Sequence, residues 1–287
     1  MKYDLSIIMP AIRTDRWLAV VNSIKESFSG TWELVIITER KLPSEIRNEP
    51  NIKVIFSERS PMAKQQQSLE QTEGEWITVM SDDSLWLPGA LDRTFKETIP
   101  KLEDYKSLLV LKYLEGKEFD FPQWYIDQVP DDMKFKTNYD FMRADKYYWS
   151  DTHGSSQMKG IPFHSPILSC AIYNRKLLLE VGGWDSVFGS QAIGNVDLSA
   201  RLMYHGCKYI IQDFVTSTCG YMEQATSDHG AIHYCQILED QPLIEQMYNR
   251  ERHDRIILDI NNWKNSDEVW KWKNPKLIEE CKAREAK

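Results

Sequence analysis

The chain contains no stretch approaching the ~20 apolar residues of a membrane span. Its opening, MKYDLSIIMP, carries one lysine and an apolar run too short for a secretory leader. Neither G-x-G-x-x-G nor G-x-x-x-x-G-K-[ST] occurs, so no dinucleotide-binding turn and no P-loop is indicated. Cysteine is sparse: Cys170, Cys207, Cys219, Cys235 and Cys281 are odd in number, far apart and without C-x-x-C spacing. The simplest reading is reduced, mostly structural thiols in a cytoplasmic protein. Basic residues are outnumbered, 35 Lys and Arg against 43 Asp and Glu, with no dense Lys/Arg run. A net charge of −8 makes nonspecific attraction to nucleic acid or anionic membrane unexpected. Internal repeats and low-complexity tracts are absent too.

What is present suits a soluble α/β protein. With 287 residues, the chain can bury one large core, or two halves sharing a sheet. Leu5–Met9, Glu33–Thr38 and Ile52–Phe56 are continuous apolar runs of strand length. Continuous rather than alternating hydrophobicity predicts strands covered on both faces, as in parallel sheets. Trp17, Val20, Val21, Ile24 and Phe28 recur at helical spacing, and 62–71 is rich in helix formers. Gly74 then introduces a fourth strand, Trp76–Met80. Strand, helix, strand, strand, helix, strand within about 80 residues indicates a nucleotide-binding α/β half.

Two adjacent carboxylates, Asp82 and Asp83, stand where that fourth strand ends. Ligands of open α/β sheets bind at the carboxyl ends of strands, so the pair is placed to hold a divalent cation and, through it, a phosphate-bearing ligand. The alternative is that the two residues cap the next helix, predicted over Ala90–Ile99. Farther on, strands are expected at Ser107–Tyr113, Ile167–Tyr173 and Lys208–Ile211, and helices at Arg175–Val181 and Asn195–His205. The long aromatic and polar segment 115–166 reads as a lid or substrate-binding region. Ten tryptophans are many; packing in the core is the common fate of Trp, and a sugar-binding surface is the other.

Taken in order, the blocks DLSIIMPAIR, WELVIITE, AKQQQSLEQTEGEWITVMSDDSLWLPGAL, and VGGWDSVFG followed by NVDLSARLMYHG resemble the GT-A-fold nucleotide-sugar glycosyltransferases, family 2 in particular. The resemblance covers roughly residues 4–235. It implies an α/β GT-A fold, a mixed but mostly parallel central sheet flanked by helices, with a helical C-terminal tail. Residues 1–100 would form the nucleotide-sugar-binding half, 101–244 the acceptor-binding half of the same domain, and 245–287 the tail. By the same resemblance, Pro10, Ala11 and Arg13 line the nucleoside pocket, Glu39 lies near the base or ribose, and Lys64 lies near the nucleotide. Ser81 and Asp82 would approach the ribose and phosphate. Asp83 would coordinate Mn²⁺ or Mg²⁺, with His229 as a further ligand, while His233 reads as structural. Trp184 and Asp185 fall on the acceptor side. The metal would neutralise the departing nucleoside diphosphate, the implied substrates being a UDP-sugar and a glycan or other hydroxyl acceptor, with inversion expected.

The chain also departs from the family pattern. Ile12 replaces the aromatic expected after the first-strand proline, and Met80 replaces the first acid of D-x-D-D. The acid pair before D-L-x-x-R reads Gly194-Asn195, which puts Asn195, unable to take a proton, at the position of the general base. Asp197 and Asp185 are the carboxylates that could replace it, and Asp197 is weighed against a role in stabilising the helix start. Two other functions stay open at this point: a lapsed GT-A domain that binds nucleotide sugar or glycan without turnover, and a nucleotidyltransferase. The second lacks its Gly-rich basic signature. A nucleic-acid acceptor is disfavoured by the net negative charge.

Overall fold

A computed structural model describes residues 2–117 and 170–221, together with Asp240 and Ile244. Eight strands form one sheet in the order β3-β2-β1-β4-β7-β6-β8-β5. They are β1 (Tyr3–Pro10), β2 (Trp32–Thr38), β3 (Ile52–Phe56), β4 (Gly74–Val79), β5 (Ser84–Trp86), β6 (Ser107–Lys117), β7 (Ala171–Asn174) and β8 (Lys208–Tyr221). Strands β1 to β4 are mutually parallel, β7 runs antiparallel to both β4 and β6, β6 and β8 are parallel, and β5 closes the far edge antiparallel to β8. The sheet is therefore mixed, and its parallel half gathers the carboxyl ends of four strands on one edge.

The apolar runs behave as their continuity requires. Leu5, Ile7 and Met9 of β1 face one side, with α1 (Trp17–Ser27), whose Trp17, Val20, Val21 and Ile24 form its buried stripe. Ile8 faces the other side, with Met62 and Leu69 of α2 (Pro61–Gln71), Leu177 and Leu178 of α4 (Arg175–Glu180), and Ile193 and Val196 of α5 (Gln191–Tyr204). Strand β6 splits in the same way, Leu108 and Val110 to one cluster, Leu109 and Leu111 to the other. Full burial of each such side chain contributes about 1.5–3 kcal/mol, so helices on both faces follow from strands that are apolar on both faces.

Several elements differ from the sequence expectation, among them β6, which runs on to Lys117. The three-residue strand β5 was not foreseen; Trp86 pairs with Ser217, and its own backbone N–H donates to Ser23 Oγ at 3.2 Å. The helix expected over Ala90–Ile99 is α-helical only as α3 (Ala90–Arg93), then widens to a π-turn over Thr94–Thr98 and tightens to a 3₁₀ turn at Ile99–Lys101. Thr94 Oγ1 donates to the Ala90 carbonyl at 2.8 Å, competing with the helical ladder, and Pro100 cannot donate at all. Strand β8 continues ten residues past Ile211, because buried Gln212 bonds to Thr94 Oγ1 at 3.1 Å instead of turning outward. Helix α5 begins at Gln191, four residues before Asn195. The segment 118–169 and the tail from 245 lie outside the described residues. Within those residues no helix is long and apolar enough to cross a membrane.

Candidate active site

The parallel half of the sheet brings three connections to one edge: the loop after β1, the residues after β2, and the turn after β4. The first starts at Pro10, where Ala11 N still bonds to the Ile37 carbonyl at 3.0 Å. The second begins at Glu39. In the third, Met80 N prolongs the ladder to Ile8, and a turn closes with Ser84 N donating to the Ser81 carbonyl at 3.1 Å. Asp82 and Asp83 are the two central residues of that turn. They do not cap a helix: β5 follows at Ser84, and α3 starts at Ala90 behind Gly89. The capping alternative is thereby corrected, since a strand intervenes.

The two carboxylates are differently placed. Asp82 is 1% exposed, and its oxygens accept from the backbone N–H groups of Ile12 (2.7 Å) and Arg13 (2.6 Å) and from the Arg13 guanidinium (2.5 Å). Asp83, the next residue of the same turn, is 8% exposed. Across the edge, Lys64 in the first turn of α2 reaches Glu39 Oε2 at 2.5 Å, a pair whose lysine is buried and whose acid is partly open. Ser60 caps α2 through Ala63 N at 3.2 Å, and Pro61 follows at N1, which fixes where Lys64 emerges. Thus the structure gathers Pro10, Ala11, Arg13, Glu39, Lys64, Ser81, Asp82 and Asp83 at one edge of the sheet.

The acceptor-side block is tied to α2. Gln66 Nε2 donates to the Gly182 carbonyl at 3.3 Å, Gln66 Oε1 accepts from Trp184 N at 2.7 Å, and Ser60 Oγ donates to the Phe188 carbonyl at 3.2 Å. Residues 182–188 therefore run along α2 from its middle to its start, towards the carboxyl edge. Gly183 sits at φ +69°, and a Cβ there would lie 2.2 Å from Gln66 Oε1, so glycine is needed for both conformation and space. Ser190 N, at the start of α5, is held by Asp240 Oδ2 at 2.5 Å. A Cβ on Gly194 would lie 2.3 Å from Met62 Cε, so the first turn of α5 touches the first turn of α2.

That packing sets the surroundings of three residues expected on this side. Trp184 is 1% exposed, and its ring meets Tyr173 edge-on at 6.2 Å, within the core. Asp197 is 0% exposed and ion-paired with Arg201 at 3.0 Å, while the same guanidinium donates to the Val181 and Gly183 carbonyls at 2.5 and 2.7 Å. The ion pair anchors the glycine turn. Asp185 is buried, with Oδ1 accepting from Val187 N at 2.9 Å. Asn195 is 4% exposed, one residue past the Gly194 contact. His229 and His233 lie outside the described residues.

Among the described residues no three His, Cys, Asp or Glu side chains converge tightly enough to form an all-protein metal cage. The donor set does fit Mg²⁺ or Mn²⁺ held by one or two carboxylates, with the remaining positions filled by phosphate oxygens and water. Asp83, a hard oxygen donor at the corner of the turn, is the residue suited to that part. Sequence reasoning missed Gln66, Arg201, Trp17 and Asp240. Of these, Arg201 alone left a signal, its i,i+4 spacing from Asp197.

No protein-family model matches the chain, and no curated protein matches it by sequence. Solved structures do. The segment 1–349 of S. aureus TarS is 14% identical, matching 92% of this chain and 72% of that one with a TM-score of 0.52. The same segment in complex with UDP-GlcNAc gives 14% identity over 87% and 74%, with a TM-score of 0.51. Mannosyltransferase PcManGT from Pyrobaculum calidifontis, in complex with GDP-Man and Mn²⁺, gives 14% identity over 99% and 74%, also with a TM-score of 0.51. At such identity a likeness speaks for architecture. By its sheet, its flanking helices and these neighbours, the chain has the GT-A-like fold of the nucleotide-sugar glycosyltransferases.

Proposed function

We propose that the protein is a glycosyltransferase, moving a sugar from a nucleotide-sugar donor to a hydroxyl acceptor. The observation that carries this is the convergence of Arg13, the Glu39–Lys64 pair and the Asp82-Asp83 turn at the carboxyl edge of a GT-A-like sheet. Ligands of open α/β sheets bind at that edge. Structural neighbours that hold UDP-GlcNAc, or GDP-Man with Mn²⁺, support the donor class. UDP as the donor nucleotide, inversion at the sugar carbon and membership of family 2 are the finer parts of the proposal.

In this reading Pro10, Ala11 and Arg13 border the nucleoside, Glu39 meets the ribose or base, and Lys64 and Ser81 lie near the phosphates. Asp83 would hold Mn²⁺ or Mg²⁺, which would supply positive charge to offset that of the leaving diphosphate. The acceptor hydroxyl must lose a proton, and Asn195 cannot take it. Since Asp197 is committed to Arg201, we assign the general base to Asp185, on the segment that runs along α2 to the edge. A second reading, binding without turnover, is favoured by one observation: Met62 fills the space that a side chain at position 194 would need. A panel of UDP- and GDP-sugars separates the two. Stabilisation by a donor together with release of nucleoside diphosphate supports transfer; stabilisation with no release under any acceptor supports the lapsed reading.

A further inference from the structure

Asp82 is heavily engaged, and its partners all belong to one segment, the β1–α1 connection and the helix it enters. Oδ2 accepts from Ile12 N at 2.7 Å, Arg13 N at 2.6 Å and Trp17 Nε1 at 3.3 Å, while Oδ1 accepts from the Arg13 guanidinium at 2.5 Å. A carboxylate offers about four lone-pair sites, so this one is balanced by the protein itself, in a nearly water-free position. Turning it towards a metal or a ribose would break its bonds to two backbone donors and an indole N–H and part it from the Arg13 guanidinium. Buried donors left without acceptors are costly, and charged ones most of all.

We propose that Asp82 is a positioning residue rather than a contact of the donor or the metal. It clamps the β1–α1 loop to the turn after β4, which fixes Arg13 beside the place of the nucleoside and leaves metal binding to Asp83. The proposal rests on the sugar-transfer reading only for the identity of the ligand; the clamp itself is a property of the unliganded protein. It also accounts for two unlike roles in adjacent acids. Asp82 meets the chain's own donors, while Asp83, the next residue of the turn, is somewhat more exposed, 8% against 1%.

The test uses the full chain and three variants, Asp82→Asn, Asp82→Ala and Arg13→Met, with the double variant Asp82→Asn/Arg13→Met. In the absence of ligand, amide exchange at Ile12 and Arg13 should quicken at least about tenfold in Asp82→Ala, with the strands unaffected. UDP titrated with Mn²⁺ should bind about tenfold more weakly to Asp82→Asn, but the same substitution should cost less than about twofold once Arg13 is already Met. The Mn²⁺ concentration that half-saturates UDP binding should not change in Asp82→Asn. With an accepted donor, KM should rise by more than kcat falls.

An undiminished loss of UDP affinity in the Arg13→Met background would overturn the clamp, as would a lost Mn²⁺ response in Asp82→Asn. If the wild-type chain binds no nucleotide, sugar transfer fails as a reading, yet the exchange measurement still decides the clamp: unchanged protection at Ile12 and Arg13 in Asp82→Ala refutes it. Asp82→Asn, which retains one acceptor oxygen, keeps the test open should the alanine variant fail to fold.

Discussion

Replacing Asp197 by Asn distinguishes a carboxylate that holds the fold from one that takes a proton. In the structure Asp197 is fully buried, and its Oδ2 accepts from Arg201 Nε at 3.0 Å. The neutral amide still offers one oxygen, and Arg201 keeps the carbonyls of Val181 and Gly183, so the guanidinium loses its counter-charge but not all its hydrogen bonds. Breaking a buried ion pair from one side costs about 3–5 kcal/mol. With the retained bonds the expected loss lies at the lower end, about 3 kcal/mol. For a chain of this size each kcal/mol moves Tm by about 2 °C, so Asp197→Asn should melt about 6 °C lower. Turnover of the folded protein, assayed well below that Tm, should stay within about twofold of wild type. General-base catalysis would give the opposite pattern, an unchanged Tm with kcat reduced by ~10²–10⁴. That outcome would refute the assignment of Asp197 to the glycine turn.

Gly194→Ala should destabilise: overpacking against Met62 costs about 1–3 kcal/mol, against about 1 kcal/mol gained in helix propensity. A net loss of about 1 kcal/mol in chemical denaturation, partly relieved in a Gly194→Ala/Met62→Ala double variant relative to the sum, would bear this out. Asp185→Asn should lower kcat by ~10²–10⁴ if Asp185 is the general base; an unchanged kcat would remove it from that role. Cys170 and Cys207 should resist iodoacetamide at pH 8 when read by peptide mapping, because burial pushes both thiols up to about 12. Their thiolate fraction there is on the order of 10⁻⁴. Because the folded thiols ionise at higher pH than the ordinary 9.0, their stabilising contribution is complete below pH 9 and is lost as pH rises towards 12.

Much of this fold was legible because both-face burial writes itself into the sequence as continuous apolar runs. Ile52–Phe56 matches β3 at both ends, and Pro61, one residue before the expected start of α2, is a residue favoured at N1. Legibility fails where structure depends on a distant partner. Strand β5 is three residues long and exists because β8 lies beside it. Strand β8 was truncated in the reading at Gln212, whose polarity says outside while Thr94, 118 residues earlier, supplies its bond inside. The same limit applies at the site. An Asp-Asp pair after a strand is visible at once, but its division of labour depends on Ile12, Arg13 and Trp17, about 70 residues away in the chain. Trp184 and Asp197 stand in motif-like blocks, yet the packing of α2 against the glycine turn takes both into the interior.

Metal-dependent nucleotide binding is the claim on which sugar transfer depends most directly, and titration calorimetry reads it. A diphosphate brought up to Asp83 meets like charge unless a cation lies between them. UDP titrated into the full chain with Mn²⁺ should release heat and saturate; in EDTA the heat should vanish, and Asp83→Asn should abolish it in Mn²⁺ without lowering Tm. Equal affinity for UDP in Mn²⁺ and in EDTA would contradict a metal-bridged donor site at this turn.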